Sequence, residues 1–203
     1  MPIAVSTTSR RRGAARREQI LRAAAELFAR HGFHGVSIDD LGTAVGISGP
    51  ALYRYFSGKE AVLGELLVGI SEVLLNEGRR RSSAARCAGE ALHALIDWHV
   101  TFALDHPALI TVQNRDLAQL ADREHARVRS LQRQYVEIWV STICEAYEGL
   151  GRQEARGGAH AVFGLINSTP YSATLDREKM AGLLARMAAG ALSAAGATSS
   201  SQA

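Results

Sequence analysis

Hydroxyl, aromatic and cationic residues cluster between positions 37 and 59, on a short polar helix and its flanks. The residues that this helix is expected to turn outward are Gly49, Pro50, Ala51, Tyr53, Arg54 and Tyr55. Hydroxyl groups, cations and helix N-termini hold phosphate oxygens, whereas small apolar groups can contact the methyl group of thymine. Two tyrosines this close together on a polar face also indicate contact with a partner. The residue types and their order therefore indicate DNA as the binding partner.

Positive charge is concentrated at the start of the chain. The formal net charge is only +3, yet residues 1–59 carry nine Arg and Lys residues against four acidic residues. A basic segment of this kind favours a polyanion, because cations that bind DNA release its condensed counterions. An anionic membrane surface is the rival partner.

The elements that must position these residues are predicted to be helices. Apolar residues recur at intervals of three and four and β-branched runs are short, which indicates an all-α protein of about nine helices. The predicted helices cover 14–31, begin at about 38 and 48, and then cover 59–81, 84–104, 109–119, 123–147, 153–168 and 177–195. Residues 1–13 are expected to be a flexible basic arm and residues 196–203 a disordered tail.

Residues 14–74 are predicted to form a small N-terminal domain around a helix-turn-helix at about 37–56. Ser37 and Asp40 have the spacing of a capping box that starts its first helix. Gly46 breaks that helix, and Ser48 can cap the next one, whose first turn tolerates Pro50. Two short helices joined by such a turn place the second helix in the major groove of DNA.

The stretch from Arg17 to about Leu67, especially GVSIDDLGTAVGISGPALYRYFSGKEAVLGEL, resembles the DNA-binding domain of TetR-family repressors. The resemblance implies phosphate contacts by Ser37, Tyr53, Tyr55 and Lys59, and places Gly49, Pro50 and Ala51 at base edges. Ser48 belongs to the same surface, and Arg54 can serve either purpose. The sequence departs from some members at Asp39, where they place a base-reading Arg, and at Tyr55, which is often His. The operator sequence therefore cannot be transferred.

The resemblance also implies a body at 75–195 that binds a small-molecule effector and pairs with a second copy through the last two long helices, as a homodimer on a pseudo-palindromic operator. The candidate effector-binding residues are Trp98, Phe102, Asn114, Arg115, Tyr135, Trp139, Phe163 and Asn167. Aromatic and amide side chains suit a small, largely apolar ligand with a carbonyl group, and Arg115 suits an acyl-CoA or lipid-like anion. The alternative is that the aromatics are core and that Arg115 pairs with a neighbouring acid. Repression, relieved by the ligand, is the expected mode.

Other classes of function find little support in the sequence. Cys87 and Cys144 lack metal-ligand spacing, the spacing of His93, His99 and His106 does not hold a metal on one helix face, and no cofactor-binding or catalytic motif occurs. No apolar run of about 18 residues exists, and the N-terminus does not resemble a secretory signal, so we expect a cytoplasmic protein without a membrane partner. The alternatives left open are a membrane-surface protein, a non-regulatory helical binding protein and an enzyme with an unrecognised site.

Overall fold

The computed structural model describes the backbone of residues 6–199 and the side chains of residues 11–196. Within this range the chain forms ten α-helices and one 3-10 helix, and it contains no strand, which confirms the predicted all-α class. The α-helices are α1 Ser6–His31, α2 Ile38–Ala44, α3 Gly49–Leu52, α4 Lys59–Ala84, α5 Ala88–Asp105, α6 Pro107–Asp116, α7 Asp122–Ala146, α8 Arg152–Ile166, α9 Thr169–Ser172 and α10 Arg177–Ser199; the 3-10 helix is Leu117–Gln119.

The first three helices and the start of α4 form a unit that we call the head, and they enclose a small apolar core. Ile20 and Phe28 of α1, Leu41 of α2 and Leu52 of α3 are fully buried, and Phe56 is nearly so. Burying a side chain of this size contributes about 1.5–3 kcal/mol. The head is therefore stabilised by apolar side chains from all of its helices, with α2 packed on α1 and α3 packed on α2.

Helix α4 passes without a break from the head into the body, which comprises the helices that follow it. It packs on α1 in the head and on α5 and α7 in the body. The sequence pattern predicted an end near Arg81, but the hydroxyl groups of Ser82 and Ser83 donate hydrogen bonds to the carbonyl of Arg79 and the helix continues to Ala84. Such bonds to the preceding turn let serine remain helical.

The body is built around α5 and α7, which pack on α4 and on each other, while α8 and α10 pack against them from outside. Trp139, Ile143 and Leu95 are fully buried at its centre. Helix α6 leaves this bundle and packs along α1. The body therefore touches the head in two places, through α4 and through α6.

Several boundaries differ from the sequence-based expectations. Residues 6–13, assigned to a flexible arm, continue α1, and the three consecutive Arg residues at 10–12 are good helix formers. The tail was predicted from 196, but α10 runs to Ser199, and residues 200–203 lie outside the described part, as do residues 1–5. Pro107 begins α6 instead of interrupting the chain, and α9 was not predicted.

Candidate nucleic-acid interface and ligand cavity

A capping box defines the N-terminus of α2. Ser37 Oγ accepts a hydrogen bond from the backbone N–H of Asp40 at 3.1 Å, and the Asp40 carboxylate accepts one from the Ser37 N–H at 2.8 Å. The bonds from Ser37 hold the pKa of Asp40 below its usual range. Ser37 is exposed, so this end of α2 faces outward, with the backbone N–H groups that the capping box leaves unpaired.

The turn between α2 and α3 is tight and depends on glycine. Gly46 has a φ of 70°, in the left-handed region, and the Ile47 N–H donates to the carbonyl of Gly42 at 2.9 Å. A Cβ atom on Gly42 would lie only 2.8 Å from the carbonyl oxygen of Ile47. The angle between α2 and α3 is therefore fixed by backbone contact.

Helix α3 and the turn after it present a small outward surface made of Pro50, Tyr53 and Arg54, which we call the α3 surface. Pro50 and Arg54 are exposed, and Tyr53 is 58% exposed, an unusual fraction for an aromatic side chain. Ser48 precedes the helix, is exposed and makes no side-chain capping bond, so its hydroxyl is available. This surface can offer hydroxyl groups, a cation and a proline ring to one partner.

Three residues assigned to the outward set are placed differently. Gly49 is buried beneath the carboxylate of Asp39, and a Cβ atom at this position would collide with Asp39 Oδ1. Ala51 and Tyr55 are half-buried, and Tyr55 packs against the apolar core. The period of the helix explains this result, since a helix packed on a core cannot turn consecutive residues to the same side.

Lys59 also departs from the expected role as a free phosphate contact. Its ammonium donates hydrogen bonds to the carbonyls of Phe33 and Val36, both at 3.1 Å, and lies 4.6 Å from the centre of the Phe33 ring. Two of its three N–H donors are thus used to tie the start of α4 to the loop after α1.

Arg17 anchors α1 behind α3. Its guanidinium pairs with Glu65, donates to the carbonyl of Tyr55 and lies 4.0 Å from the centre of the Phe56 ring. The hydrogen bond with Glu65 raises the pKa of Arg17. These contacts join α1, the segment after α3 and α4, so the α3 surface rests on a rigid support.

The body contains a partly enclosed cavity of about 220 Å³ between α4, α5, α6, α7 and α8. Its lining is Ser71, Leu74, His99, Gln113, Arg129, Gln132, Tyr135, Val136, His160, Phe163 and Asn167. The structure thus brings together three predicted effector-binding residues, Tyr135, Phe163 and Asn167. Amide groups and a buried histidine accompany the apolar walls, which makes the cavity more polar than the aromatic pattern indicated.

His99 lies at the inner end of this cavity and was not among the predicted ligand residues. One ring nitrogen lies 3.2 Å from the Tyr135 hydroxyl and the other lies 3.2 Å from Asn167 Oδ1. Burial lowers the pKa of His99 to about 4, and burial likewise raises the pKa of Tyr135 above its usual value. The imidazole is therefore neutral near pH 7. Its position on the buried stripe of α5, four residues after Leu95, was the signal available in the sequence.

Five other predicted effector-binding residues do not line the cavity. Phe102 and Trp139 are buried in the core, and Trp98 packs on Phe102 and under the guanidinium of Arg81. Asn114 is exposed. Arg115, the fifth, points away from the cavity altogether.

Arg115 connects α6 to the end of α1. Its guanidinium donates to the carbonyls of Phe28 and Ala29, the latter at 3.2 Å, and pairs with the buried carboxylate of Asp116 at 2.9 Å. Arg115 therefore does not line the cavity in which it was expected to bind an anionic ligand, and it forms the ion pair with a neighbouring acid that was the alternative. The carbonyls at the C-terminus of a helix attract cations, which explains why the guanidinium sits there.

Within residues 11–196, no group of three or more His, Cys, Asp or Glu side chains is arranged to hold a metal ion. None of the helices in the described part of the chain has the length and apolar character needed to cross a membrane.

Comparison with known proteins agrees with both parts of the architecture. Residues 20–66 match the family model described as bacterial regulatory proteins, tetR family, and residues 86–171 match a tetracyclin repressor-like C-terminal domain. The HTH-type transcriptional repressor KstR2 of Rhodococcus jostii is 26% identical over 129 residues, and the match spans 63% of its length and 63% of this chain.

Solved structures show the same fold. A TetR-family regulator from Bordetella parapertussis has a TM-score of 0.76 at 23% identity, covering 85% of this chain and 93% of its own. AibR, solved in complex with isovaleryl coenzyme A and operator DNA, has a TM-score of 0.72 at 19% identity, covering 85% of this chain and 97% of its own.

Proposed function

The chain belongs to the TetR family of bacterial regulatory proteins, and we propose that it is a cytoplasmic, homodimeric repressor that a small ligand releases from a pseudo-palindromic operator. The observation that carries this proposal is the α3 surface. Its residues Pro50, Tyr53 and Arg54 are exposed, and they follow an α2–α3 turn that backbone contacts fix. A rigid recognition surface is what sequence-specific binding requires, because a misplaced hydrogen-bond donor loses its base or phosphate partner.

Each exposed residue of the interface has a proposed role. Ser48 and Tyr53 bind phosphates through their hydroxyl groups. The hydroxyl of Ser37 donates to the Asp40 carboxylate, so Ser37 acts by shaping the N-terminus of α2, whose remaining backbone N–H groups bind a phosphate. Pro50 and the exposed part of Ala51 contact base edges, and Arg54 binds either a base or a phosphate. Lys59 has one ammonium N–H left for a phosphate, and the half-buried Tyr55 offers its hydroxyl at the edge of the surface.

The cavity between α4 and α8 is the proposed effector site. Leu74, Val136 and Phe163 form an apolar wall, whereas His99 and Asn167 offer hydrogen bonds at one end. Exposed Arg129 lies at the rim, where a guanidinium suits an anionic group. A ligand with a small, largely apolar part, a carbonyl group and an anionic part fits this pattern, and an acyl-CoA has all three.

The proposed dimer pairs the outer faces of α8 and α10. On these two helices Ala159, Val162 and Leu184 are buried inside the chain and cannot contribute to such an interface. The exposed faces carry small residues instead, with nothing within 4 Å of a Cβ placed on Gly157, Gly164 or Gly190. Small residues let helices approach closely, and the exposed side chain of Met187 lies on the same helix as Gly190.

Binding to DNA is tested with a duplex selected from random sequences by the full chain. Fluorescence anisotropy should give a dissociation constant about 1,000-fold or more below that of a shuffled duplex at physiological salt. If no duplex is preferred and the chain binds anionic vesicles instead, it is a membrane-surface protein and the proposal fails.

Release by the ligand is tested on the same duplex with acyl-CoAs of increasing chain length, free coenzyme A and free fatty acids. At least one acyl-CoA should lower duplex affinity by about 5- to 150-fold, the usual range of allosteric coupling. Arg129→Gln should weaken release by that acyl-CoA more than release by an uncharged thioester of the same acyl group. Arg133→Gln, on an exposed residue outside the lining, is the matched control. If no acyl-CoA changes duplex affinity, this ligand class is excluded.

A further inference from the structure

The first turns of α1 carry unbalanced positive charge. Arg10, Arg11 and Arg12 are consecutive, and the first turn of this helix contains no acidic residue. Arg11 and Arg12 are exposed, and among residues 11–196 no carboxylate pairs with either of them. By contrast, Arg17 further along the helix is held in an ion pair. These two guanidinium groups are therefore available to an external anion.

The contacts of α1 show which way this charged end points. Its C-terminal end receives hydrogen bonds from Arg115 of α6, so that end faces the body. Arg16 lies fifteen residues before His31 on the same helix, and it donates to the carbonyl of Val45, at the end of α2, at 2.7 Å. The helix therefore passes the α2–α3 turn at Arg16 and continues beyond it, away from the body.

Helix geometry gives the distance by which α1 extends past the α2–α3 turn. With a rise of about 1.5 Å per residue, Arg11 and Arg12 lie about 6 to 8 Å past Arg16 along the axis, and Ser6 lies about 15 Å past it. The turn that presents the α3 surface to DNA in the proposed function lies at this same end of α1, far from the end that Arg115 of the body binds. The charged end of α1 thus lies beside the DNA surface.

We propose that Arg11 and Arg12 form a second DNA contact, which binds backbone phosphates beside the groove entered by α3. This inference rests on the proposed function. Guanidinium groups suit phosphate oxygens because they donate two parallel hydrogen bonds, and their charge releases counterions from the duplex. The contact adds affinity for any sequence and holds the head in register, while α3 supplies the sequence preference.

The test measures how the affinity of the full-length chain for the selected duplex depends on salt. Arg11→Ala/Arg12→Ala keeps the helix propensity high while removing two charges per subunit. Each lost phosphate contact lowers the slope of log affinity against log salt by about 0.9, so the slope of the dimer should fall by about 2 to 4. Affinity at physiological salt should fall about tenfold or more, for the selected and the shuffled duplex alike.

Two controls separate this contact from a general effect of charge or folding. Arg22→Ala/Arg30→Ala removes the same number of charges from exposed positions nearer the body end of α1 and should leave the slope nearly unchanged. Arg11→Lys/Arg12→Lys should retain most of the slope, and circular dichroism checks that every variant keeps its helix content.

The outcomes are distinguishable. If the natural chain prefers a duplex but the Arg11/Arg12 variant has the same slope and affinity, the second contact does not exist and the proposed function stands. Equal losses in both Ala variants would likewise overturn it, since they would reflect net charge alone. If the natural chain prefers no duplex, the proposed function fails first.

Discussion

At the scale of single residues, the exposed side chains of α3 divide between phosphate and base contacts. Tyr53→Phe should weaken the selected and the shuffled duplex by a similar factor, about 30-fold for the dimer, because each of its two subunits loses one hydrogen bond worth about 1 kcal/mol. Pro50→Ala should instead change which duplexes are preferred. Anisotropy with both duplexes measures this, and Tyr171→Phe, on an exposed tyrosine of α9, is the control. A change in preference with Tyr53→Phe would reverse the assignment.

His99 gives the body a dependence on pH. Its pKa is about 4 in the folded chain and about 6.5 when unfolded, so the unfolded chain binds the proton more readily between these values. The stabilising effect of the neutral imidazole is complete above about pH 6.5 and is lost as the pH falls towards 4. At pH 5 the loss should reach about 2 kcal/mol relative to pH 7.

This pH effect is measured by chemical unfolding at pH 5 and pH 7. His99→Asn keeps a polar side chain but cannot titrate, so its loss of stability at pH 5 should be smaller by about 2 kcal/mol. His93→Asn, which changes an exposed histidine on the same helix, should behave as the natural chain. If the His99 variant lost as much unfolding free energy between pH 7 and pH 5 as the natural chain does, the pH effect would belong to other groups.

At the scale of elements, the short α2–α3 turn determines how the recognition surface is presented. Gly42→Ala should destabilise the chain by about 1–3 kcal/mol, because its Cβ would meet backbone atoms that cannot move aside. Gly69→Ala, on α4 where a Cβ meets nothing within 4 Å, should stabilise it by about 0.5–1 kcal/mol. Thermal and urea unfolding compare the two. Similar effects in both variants would mean that the turn is more pliable than its contacts indicate.

The elements also show how far the sequence could predict the structure. The head was predictable because its signals are local, such as the capping box of Ser37 and Asp40 and the glycine turn at Gly46. The cavity was not, because its lining comes from five helices and periodicity cannot tell which buried faces leave space. Arg115 illustrates the difficulty, since its carbonyl partner on Ala29 lies 86 positions away.

At the scale of the whole molecule, α6 offers a path from cavity to head, because Gln113 lines the cavity and Arg115 binds the end of α1. Removing Arg115 alone would leave the buried Asp116 carboxylate unpaired, so the useful variant is Arg115→Gln/Asp116→Asn. It should bind duplex and ligand nearly as the natural chain does, while the loss of duplex affinity caused by ligand shrinks about fivefold or more. Arg123→Gln is the control, and undiminished release would exclude this path.

The two heads must act together, so the subunit interface is also testable at this scale. Met187→Glu should convert the dimer to a monomer and lower duplex affinity by about 100-fold or more, since two linked half-sites bind far better than one. Val73→Glu alters a residue of α4 that is equally exposed, 46% against 47%, and should do neither. Sedimentation and anisotropy measure both properties. A dimeric Met187→Glu variant would place the interface elsewhere.

The unbroken course of α4 from Lys59 to Ala84 limits how this protein can change by insertion. Each residue of an α-helix advances the chain by about 100°, so one residue inserted near Gly69, before the cavity-lining part of α4, would rotate the head against the body by that amount. The link between α6 and α1 cannot follow such a rotation. Hybrids that join this head to another body therefore need a junction that preserves the helical phase. The number of residues between Lys59 and the cavity is as constrained as the identity of any residue that touches a ligand.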